Sequence, residues 1–390
     1  MISVAEALDR LFALAAPTGT ETVPLAEAGG RVLAAPVVAT RDQPPFAASA
    51  MDGYAVKAVE AEPYAMFKVI GEAARARDSE GVVGAGQAVR IFTGAPVPEG
   101  VDRVVIQEDV SRAGDLITLG SSLDAGPYIR PAGMDFAAGD RFDAPRLLGP
   151  RDLALIAAMN AGDVTVARRP EVALIATGDE LVMPGETPGP DQIIASNAFG
   201  LKAMLEDAGA RVRLLPIARD ETESLKTVFG LAAGADLVVT IGGASVGDHD
   251  LVGAVAAELG MDQSFYKVAM RPGKPLMAGR LGAAAMVGLP GNPVSALVCG
   301  RIFLVPMIRA MLGLGAAPAA RLQAVLTEDI PANGPREHYM RAVVDGTGIR
   351  LLPAQDSALL TILARANALL VRPVSDPARA AGTLVDYVAL

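Results

Sequence analysis

The carboxylates and cations that could do chemistry in this chain lie in short polar segments. A loop over residues 43–56 holds one carboxylate, Asp52, directly before Gly53. The Pro44-Pro45 step disfavours a helix and the glycine permits a tight turn, so the sequence predicts a stiff loop. An acid on such a loop is either a turn residue bonded to its own backbone or a functional carboxylate.

Three cations, Lys267, Arg271 and Lys274, lie within eight residues, where they repel one another. Pro272 and Gly273 predict a turn here rather than a solvated helix face. Arginine can donate two parallel hydrogen bonds to an oxyanion, and lysine supplies a point charge. The segment therefore predicts capture of a compact anion, with a solvated surface turn as the alternative.

Residues 169–315 alternate between short apolar runs and amphipathic stretches, which predicts a parallel sheet covered by helices. The predicted strands cover 172–176, 212–217, 237–241, 265–268 and 284–288. The predicted helices cover 197–208, 221–232, 251–259 and 294–312. A polar motif follows each strand, namely Asp179-Glu180, Asp220, 242–250, 267–274 and 288–295. Because ligands of open α/β sheets bind beyond the carboxyl ends of the strands, these motifs predict one binding cleft.

Some of these motifs also fit ordinary structural roles. The glycine-rich run 242–247 could turn its N–H groups toward an anion, but it could equally be a tight turn. Asp220 and Glu223 match a helix N-cap pair. Asp179 and Glu180 could form a solvated loop pair.

The composition restricts the class of protein. With 390 residues, 51% of them apolar, the chain can form roughly two to four domains with substantial cores. A formal net charge of −10 and the absence of Trp argue against nucleic acid as a partner. Cys299 is the only cysteine, so an internal disulfide is excluded, and with two histidines a Cys/His zinc site is disfavoured. Its apolar surroundings predict that Cys299 is buried.

The N-terminus is typical of a helix rather than a signal peptide. Ser3 and Glu6 form a capping pattern, and charged residues interrupt the apolar ones. Arg301 and Arg309 interrupt the longest apolar run, so no membrane-spanning segment is expected. We therefore expect a soluble, cytoplasmic protein without a membrane partner.

The pattern of the chain predicts four domains and a fold class of multidomain α/β plus β. Residues 1–41 and 138–168 form an N-terminal helix and a mixed linker domain. Residues 42–137 are rich in Gly, Pro and short Val/Ile runs and predict a β-rich domain. Residues 169–315 form the α/β domain, and 316–390 predict a small C-terminal β-barrel around one helix.

Six ordered segments, together with the loop around Asp52, resemble the molybdopterin molybdenumtransferase family, which includes MoeA and the E domain of gephyrin. The segments cover 91–98, 130–135, 177–181, 242–250, 267–275 and 288–295, so the resemblance extends over nearly the whole chain. It implies that the α/β domain is three-layered and of the molybdopterin-binding type. It also implies a molybdenum insertase that transfers molybdate onto the dithiolene of adenylylated molybdopterin and releases AMP with the help of Mg²⁺.

The resemblance also carries over the family's site residues. The implied catalytic residues are Asp52, Thr93, Asp135, Glu180, Asp220, Asp250 and Lys267, and the implied Mg²⁺ ligands are Asp52, Glu180 and Asp250. The implied substrate-binding residues are Arg130, Gly243, Ser245, Arg271, Lys274, Pro290, Pro293, Ser295, Arg341 and Thr361, with Ser357 as the alternative to Thr361. Arg271 departs from the lysine that the family more often has. The individual roles of the acids stay open, and so does the ordinary reading of Thr93 as a turn residue.

The resemblance implies a two-fold homodimer in which the second domain of one subunit faces the third domain of the other. Its expected ligands are adenylylated molybdopterin and molybdate, and its candidate protein partners are a molybdopterin adenylyltransferase and molybdoenzymes. Two other functions stay open. A molybdopterin adenylyltransferase would need the α/β domain but not the regions around Asp52 and Arg341. A non-enzymatic scaffold of the gephyrin type would not need a cleft lined by acids and cations.

Overall fold

A computed structural model of the chain describes residues 1–73, 82–243 and 251–390. Its α-helices are α1 (Val4–Leu14), α2 (Pro150–Ala158), α3 (Asn197–Asp207), α4 (Thr222–Leu231), α5 (Leu251–Glu258), α6 (Pro293–Cys299), α7 (Val305–Met311) and α8 (Leu360–Arg365). A π-helical segment, Gly300–Leu304, joins α6 to α7. Short 3-10 helices cover Leu25–Glu27, Ala58–Glu60 and Gln107–Asp109.

The strands are short and numerous. In chain order they are β1 (Thr20–Pro24), β2 (Val32–Leu33), β3 (Val37–Val38), β4 (Ala48–Ser49), β5 (Gly53–Val56), β6 (Met66–Ala73), β7 (Gln87–Ile91), β8 (Arg103–Ile106), β9 (Val110–Ala113), β10 (Leu116–Leu119), β11 (Ile129–Arg130), β12 (Arg141–Phe142), β13 (Arg146–Leu147), β14 (Asp163–Ala167), β15 (Glu171–Ala176), β16 (Leu181–Val182), β17 (Ile193–Ile194), β18 (Arg211–Leu214), β19 (Leu237–Ile241), β20 (Asp262–Lys267), β21 (Met270–Arg271), β22 (Pro275–Leu281), β23 (Ala284–Leu289), β24 (Leu322–Val325), β25 (Glu337–Asp345), β26 (Gly348–Leu351), β27 (Ala368–Arg372) and β28 (Leu384–Ala389).

The chain forms two compact units. The large unit comprises Met1–Glu21, Gly30–Ala34 and Val166–Leu390, and the small unit comprises Thr22–Gly29 and Ala35–Thr165. Each unit has apolar clusters of its own. The helix predicted at the N-terminus belongs to the large unit as α1, and Ser3 Oγ caps it by accepting the Glu6 N–H at 3.1 Å.

A six-stranded sheet forms the core of the small unit, in the order β8-β5-β7-β6-β10-β9. β5 lies between β7 and β8 and is antiparallel to both. Tyr54 packs with Phe67 on one face of the sheet, and Ala55 packs with Ile91 on the other. Because both faces are covered, β5 is buried along its length and fixes the chain directly after Asp52.

The central sheet of the large unit has the order β18-β15-β19-β23-β22-β20. The first four strands are parallel, as the alternating pattern predicts. The sheet departs from the parallel prediction at β22, a strand that was not predicted and that runs antiparallel to both β23 and β20. A two-residue turn at Gly282-Ala283 joins β22 to β23, with a Gly282 φ of 61°. Such a turn joins antiparallel strands. β20 is antiparallel to β22, and β22 is antiparallel to β23. β20 therefore runs in the same direction as the parallel strands and ends at the same edge of the sheet.

Helices cover both faces of this sheet. Leu174 of β15 belongs to the same apolar cluster as Leu201 of α3, whereas the next residue, Ile175, belongs to the cluster that contains Leu225 of α4. Successive strand residues point to opposite faces, so the two clusters are the two sides of one sheet. Their sequence signature is the near-continuous apolar run of each strand.

The helical segment from α6 to α7 is long and mostly apolar, although it contains Arg301 and Arg309. Pro293–Met311 has 19 helical residues with a mean hydropathy of 1.7, which is long and apolar enough to cross a membrane by length and composition. The expectation that Arg301 and Arg309 exclude such a run is therefore wrong. However, 72% of its most apolar stretch is buried within the fold, and Phe303 and Ile308 lie in the main apolar cluster. This is the packing of a core helix.

The C-terminal sheet of the large unit has the order β21-β25-β27-β28-β24, and β26 pairs with β25. Leu326, just after β24, bridges to Ile349 of β26, and the Thr327 N–H donates to the Ile349 carbonyl at 3.0 Å. Side chains of β25 alternate between two clusters, with Tyr339 in the main cluster and Ala342 in a smaller one.

Candidate active site

A cleft of about 1030 Å³ opens at the carboxyl ends of the parallel strands in the large unit. Residues that follow β15, β18, β19 and β23 line it, and five of them were predicted as site residues, namely Glu180, Asp220, Gly243, Pro290 and Pro293. Ile193 and Ile194 of β17 add an apolar wall that the sequence analysis missed. The cleft therefore lies where the order of strands and motifs predicts it.

Gly242 and Gly243 form part of the cleft wall at a place where side chains do not fit. Their φ angles are 96° and 65°, in the left-handed region. A Cβ on Gly242 would lie 2.7 Å from the Thr177 carbonyl oxygen, and a Cβ on Gly243 would overlap a methyl group of Val252. The Gly242 N–H donates to the Leu289 carbonyl at 3.0 Å, which ties this turn to the end of β23. Glycine is therefore required at both positions by the close approach of Thr177 and Val252.

Arg219 holds the loop that carries Glu180. Its guanidinium donates to the carbonyl oxygens of Asp179 at 3.0 Å and Leu181 at 3.1 Å. Asp179 Oδ1 in turn accepts the Asp220 N–H at 3.1 Å, so Asp179 has a structural role. Glu180 lines the cleft beside it. The sequence analysis missed Arg219, although a cation directly before Asp220 was an available signal.

Asp220 does not cap the helix that follows it. α4 begins at Thr222 with Glu221 at the N-cap position, and no side chain bonds to the cap. Ser224 Oγ instead accepts the Arg219 N–H at 2.9 Å. The capping explanation of Asp220 is therefore wrong, and its carboxylate is exposed on the cleft lining.

The cation-rich turn after β20 packs against α6. Gly273 has a φ of 104°, and a Cβ there would overlap Cys299 Sγ. Cys299 is buried as predicted, and burial raises the pKa of its thiol. Lys267 is half-buried, whereas Arg271 and Lys274 are exposed and have no acidic partner in the described ranges. None of the three cations lines the cleft described above.

Arg341 is fully buried in β25 and only partly bonded. Its Nη2 donates to the carbonyl oxygens of Ala354 at 3.2 Å and Asp356 at 3.0 Å. Its Nε and Nη1 have no partner in the part of the chain that the structure describes. Burial lowers the pKa of Arg341, with Asp356 acting against it. Leaving buried donors unpaired is costly, so this geometry fits a side chain that meets an anion.

Ser357, rather than Thr361, contacts the segment that lines the cleft. Its Oγ accepts the Asn292 side-chain N–H at 3.2 Å, and its carbonyl accepts the Val294 N–H at 3.0 Å. Asn292 lies on the cleft lining. Thr361 is exposed in α8, and Ser295 is buried in α6. The structure therefore favours the alternative, Ser357, for a hydroxyl near the cleft.

In the small unit, Asp52 is held by Thr93. Asp52 Oδ1 accepts the Thr93 N–H at 2.7 Å and the Thr93 hydroxyl at 2.8 Å. The backbone bond first, the hydroxyl bond second and Arg90 to a lesser extent lower the pKa of the Asp52 carboxyl, while desolvation acts to raise it. Arg90, which the sequence analysis missed, lies over the rings of Tyr54 and Phe92. Asp52 is thus an ionised carboxylate fixed by a distant residue, not a turn residue bonded to its own backbone.

Arg130 and Asp135 lie on the segment that pairs with the loop before Asp52. Arg130 is opposite Ala48 in the β4–β11 pair, and the Asp135 N–H donates to the Gln43 carbonyl at 2.9 Å. Both side chains are exposed. The small unit therefore places its four predicted site residues on the Pro-rich loop and the segments bonded to it.

Two of the three predicted Mg²⁺ ligands, Asp52 and Glu180, lie among the described residues. Ser245 and Asp250 lie outside them, Asp52 belongs to the small unit, and Glu180 belongs to the large unit. Within residues 1–73, 82–243 and 251–390 there is no group of three His, Cys, Asp or Glu side chains placed to hold a metal ion. The cleft does offer the carboxylates of Glu180 and Asp220. Oxygen donors of this kind suit Mg²⁺, which commonly takes one or two carboxylates with waters and phosphate oxygens.

These features define the large unit as an α/β ligand-binding fold with its cleft at the carboxyl ends of the strands. Three family models match the chain in order. Residues 2–160 match the MoeA N-terminal region (domain I and II), 173–310 match a probable molybdopterin binding domain, and 323–390 match the MoeA C-terminal region (domain IV). The chain belongs to the molybdopterin molybdenumtransferase family.

Relatives and solved structures agree with this assignment. The molybdopterin molybdenumtransferase of Nostoc sp. is 36% identical over 373 residues, covering 92% of this chain and 86% of that protein. Molybdopterin molybdenumtransferase 2 of Mycobacterium tuberculosis is 37% identical over 377 residues, covering 93% of each. The molybdopterin biosynthesis moeA protein of Pyrococcus horikoshii has a TM-score of 0.87 at 26% identity and covers all of both chains. The chain therefore has the multidomain fold of this family.

Proposed function

We propose that this chain is a molybdenum insertase that transfers molybdate onto the dithiolene of adenylylated molybdopterin. Water would add across the phosphoanhydride, which releases AMP and molybdopterin. The two dithiolene thiols would then bind molybdenum through their sulfurs, and one oxo ligand of molybdate would leave as water with the two thiol protons. Family membership and the names of the relatives support the molybdenum transfer.

The observation that carries the proposal is the cleft at the carboxyl ends of β15, β18, β19 and β23. Its volume of about 1030 Å³ is large enough for a nucleotide-sized ligand. The bare backbone at Gly242 and Gly243 would allow close approach of a phosphate group. Glu180 and Asp220 would orient the attacking water or bind a cation at the phosphates.

When bound, Mg²⁺ would neutralise negative charge on the phosphoanhydride. Glu180 and Asp220 are the described carboxylates that would hold it, and Asp250 is a further predicted ligand. Thr93 fixes Asp52, and Asp52, Asp135 and Lys267 complete the proposed catalytic set.

Molybdate would be held by cations near α6 and β25. Among the described residues, Arg271 and Lys274 are exposed and have no acidic partner, and Nε and Nη1 of buried Arg341 have no hydrogen-bond partner. Ser295, and Ser357 or Thr361, would add hydroxyl donors. An arginine fork and a point charge suit a compact dianion.

We also propose the four-domain division, a cytoplasmic homodimer and a closed C-terminal barrel. The bridge between Leu326 and Ile349 supports the barrel, because it connects the last strand of that sheet to β26. A molybdopterin adenylyltransferase and molybdoenzymes are the partners that this function would require.

A reconstitution tests the proposed function. Purified protein, adenylylated molybdopterin, molybdate and Mg²⁺ are mixed, and AMP and the molybdenum cofactor are measured. We expect both products in a molybdate-dependent reaction, and less AMP after Mg²⁺ is chelated. Synthesis of adenylylated molybdopterin from molybdopterin and ATP would instead identify an adenylyltransferase, and absence of any turnover would favour a scaffold.

A further inference from the structure

His338 lies between two arginines on three adjacent strands. Arg271 of β21 is directly opposite His338 of β25, and Arg372 of β27 is opposite it on the other side. Residues opposite each other on neighbouring strands share a face and lie about 5 Å apart at Cβ. The imidazole is only 6% exposed, and its Nε2 has no partner in the described part of the chain.

Only one of these two arginines is already neutralised. Arg372 Nε donates to Asp376 Oδ2 at 2.6 Å, and both side chains are buried. Arg379 also donates to Asp376, at 2.6 Å. Arg271 is exposed and has no ion pair within the described ranges. Its charge is therefore available to an anion from solvent.

In the described part of the chain, the charged groups that shift the pKa of His338 are arginines. Burial first, and then Arg271, Arg341, Arg336 and Arg372 in that order, lower the pKa of His338 to about 4. The imidazole is thus neutral near neutral pH in the free protein. A new negative charge beside Arg271 would oppose these cations and favour the imidazolium.

We propose that binding of an oxyanion at Arg271 is coupled to uptake of one proton by His338. The identity of the anion, molybdate, rests on the proposed function, whereas the coupling rests on the strand register and on the unpaired, buried Nε2. Because bound anion raises the pKa of His338, affinity should increase as pH falls through the bound-state pKa. The increase should be up to about tenfold per pH unit and should end below the pKa of the free protein.

The two histidines of this chain make the proposal directly measurable. In an NMR titration, full-length protein labelled in histidine gives two imidazole signals. The signal that is lost in His338→Gln belongs to His338. If that variant does not fold, His249→Gln identifies the His338 signal as the one that remains. We expect the His338 midpoint to rise by about one pH unit or more with saturating molybdate. Arg271→Ala should raise the midpoint of the free protein and remove most of the molybdate effect. Arg350→Ala, at an exposed position on β26 of the same sheet, is the control and should change neither.

Calorimetry separates this inference from the proposed function. Titrations with molybdate at about pH 5, between the free-state and the expected bound-state midpoints, in two buffers of different ionisation enthalpy should show proton uptake in the wild type and not in His338→Gln. Molybdate binding without proton uptake, or with an unmoved His338 midpoint, would overturn the coupling and leave the oxyanion site intact. Absence of molybdate binding would overturn both.

Discussion

Asp52 Oδ1 accepts two hydrogen bonds from Thr93, one from the backbone N–H at 2.7 Å and one from the hydroxyl at 2.8 Å. The two residues lie in separate sequence motifs, and these hydrogen bonds hold the two motifs together. The hydroxyl of Thr93 is therefore a positioning group for the carboxylate.

Thr93→Val removes the hydroxyl bond and keeps the backbone bond. The pKa of Asp52 should rise but stay below its ordinary value of 3.8, because the backbone bond is the larger cause of the shift. A carboxylate whose pKa is lowered by folding adds stability above its unfolded pKa and loses it as pH falls through the folded pKa. The variant should therefore differ from the wild type above about pH 4 and converge with it in acid. A carboxyl-directed NMR titration measures the shift, Thr93→Ser should behave like the wild type, and an unchanged Asp52 pKa would contradict the assignment.

Gly53→Ala should destabilise the small unit. A Cβ at this position would overlap the Val105 carbonyl oxygen across the β5–β8 pair. Overlap with backbone cannot be relieved by a rotamer change, so we expect a loss of roughly 2–5 kcal/mol. Gly71→Ala is the matched control, because Gly71 is exposed in β6 and a Cβ added there would meet no atom of the described residues within 4 Å, so it should change stability by about 1 kcal/mol or less. Denaturant unfolding of both variants measures this, and equal losses would contradict the close approach at Gly53.

Glu180→Gln and Asp220→Asn should each lower AMP release by ~100-fold or more, because each removes a charge from the cleft where the phosphoanhydride would be cleaved. Single-turnover release of AMP is the measurement. Asp191→Asn is the control, since Asp191 is an exposed acid that does not line the cleft, and it should retain activity. Near wild-type release in both cleft variants would exclude this cleft as the site of hydrolysis.

Lys274→Ala should raise the half-saturating molybdate concentration by roughly tenfold, because one charge-assisted contact is lost. Arg271→Lys should have a smaller effect, because the positive charge stays and only the pair of parallel N–H donors of the guanidinium is lost. Lys68→Ala, which removes an exposed cation from the small unit, controls for net charge. Molybdate dependence that is the same in Lys274→Ala and the wild type would place the oxyanion elsewhere.

Mixing Asp52→Ala with Glu180→Ala tests the proposed homodimer with shared sites. If each site takes Asp52 from one subunit and Glu180 from the other, a heterodimer has one intact site and one doubly altered site. Random exchange gives about half heterodimer, so activity should recover to about a quarter of the wild type. Verified exchange without recovery would mean that both carboxylates serve a site within one chain.

Much of the α/β architecture could be predicted from sequence, because its determinants are local. Apolar runs and helical periodicity identify β15, β19 and β23, and each is followed by a polar motif at the cleft. β22 could not be recognised in the same way, because it begins at Pro275 and no helical segment separates it from β23. The signal for it was Gly282 between two apolar runs, which marks a hairpin turn.

The contacts within the candidate site were less predictable, because they join residues far apart in the chain. Nothing local to Asp52 indicates that Thr93 holds it, and nothing local to His338 places it opposite Arg271 and Arg372. Asp220 was misjudged as a possible cap because its spacing to Glu223 fits a capping pair, although the helix begins one residue later. The four-domain division and the roles of Ser245 and Asp250 stay predictions.

The packing of Gly273 on Cys299 gives the protein a built-in reporter. Sγ of the chain's only cysteine is buried and lies under the backbone of the cation-rich turn, so a thiol reagent would reach it if that turn moved away. The rate of Cys299 alkylation would then measure how often the turn opens. We expect an anion bound by Arg271 and Lys274 to slow the alkylation, so that the same measurement would report its binding without an introduced label.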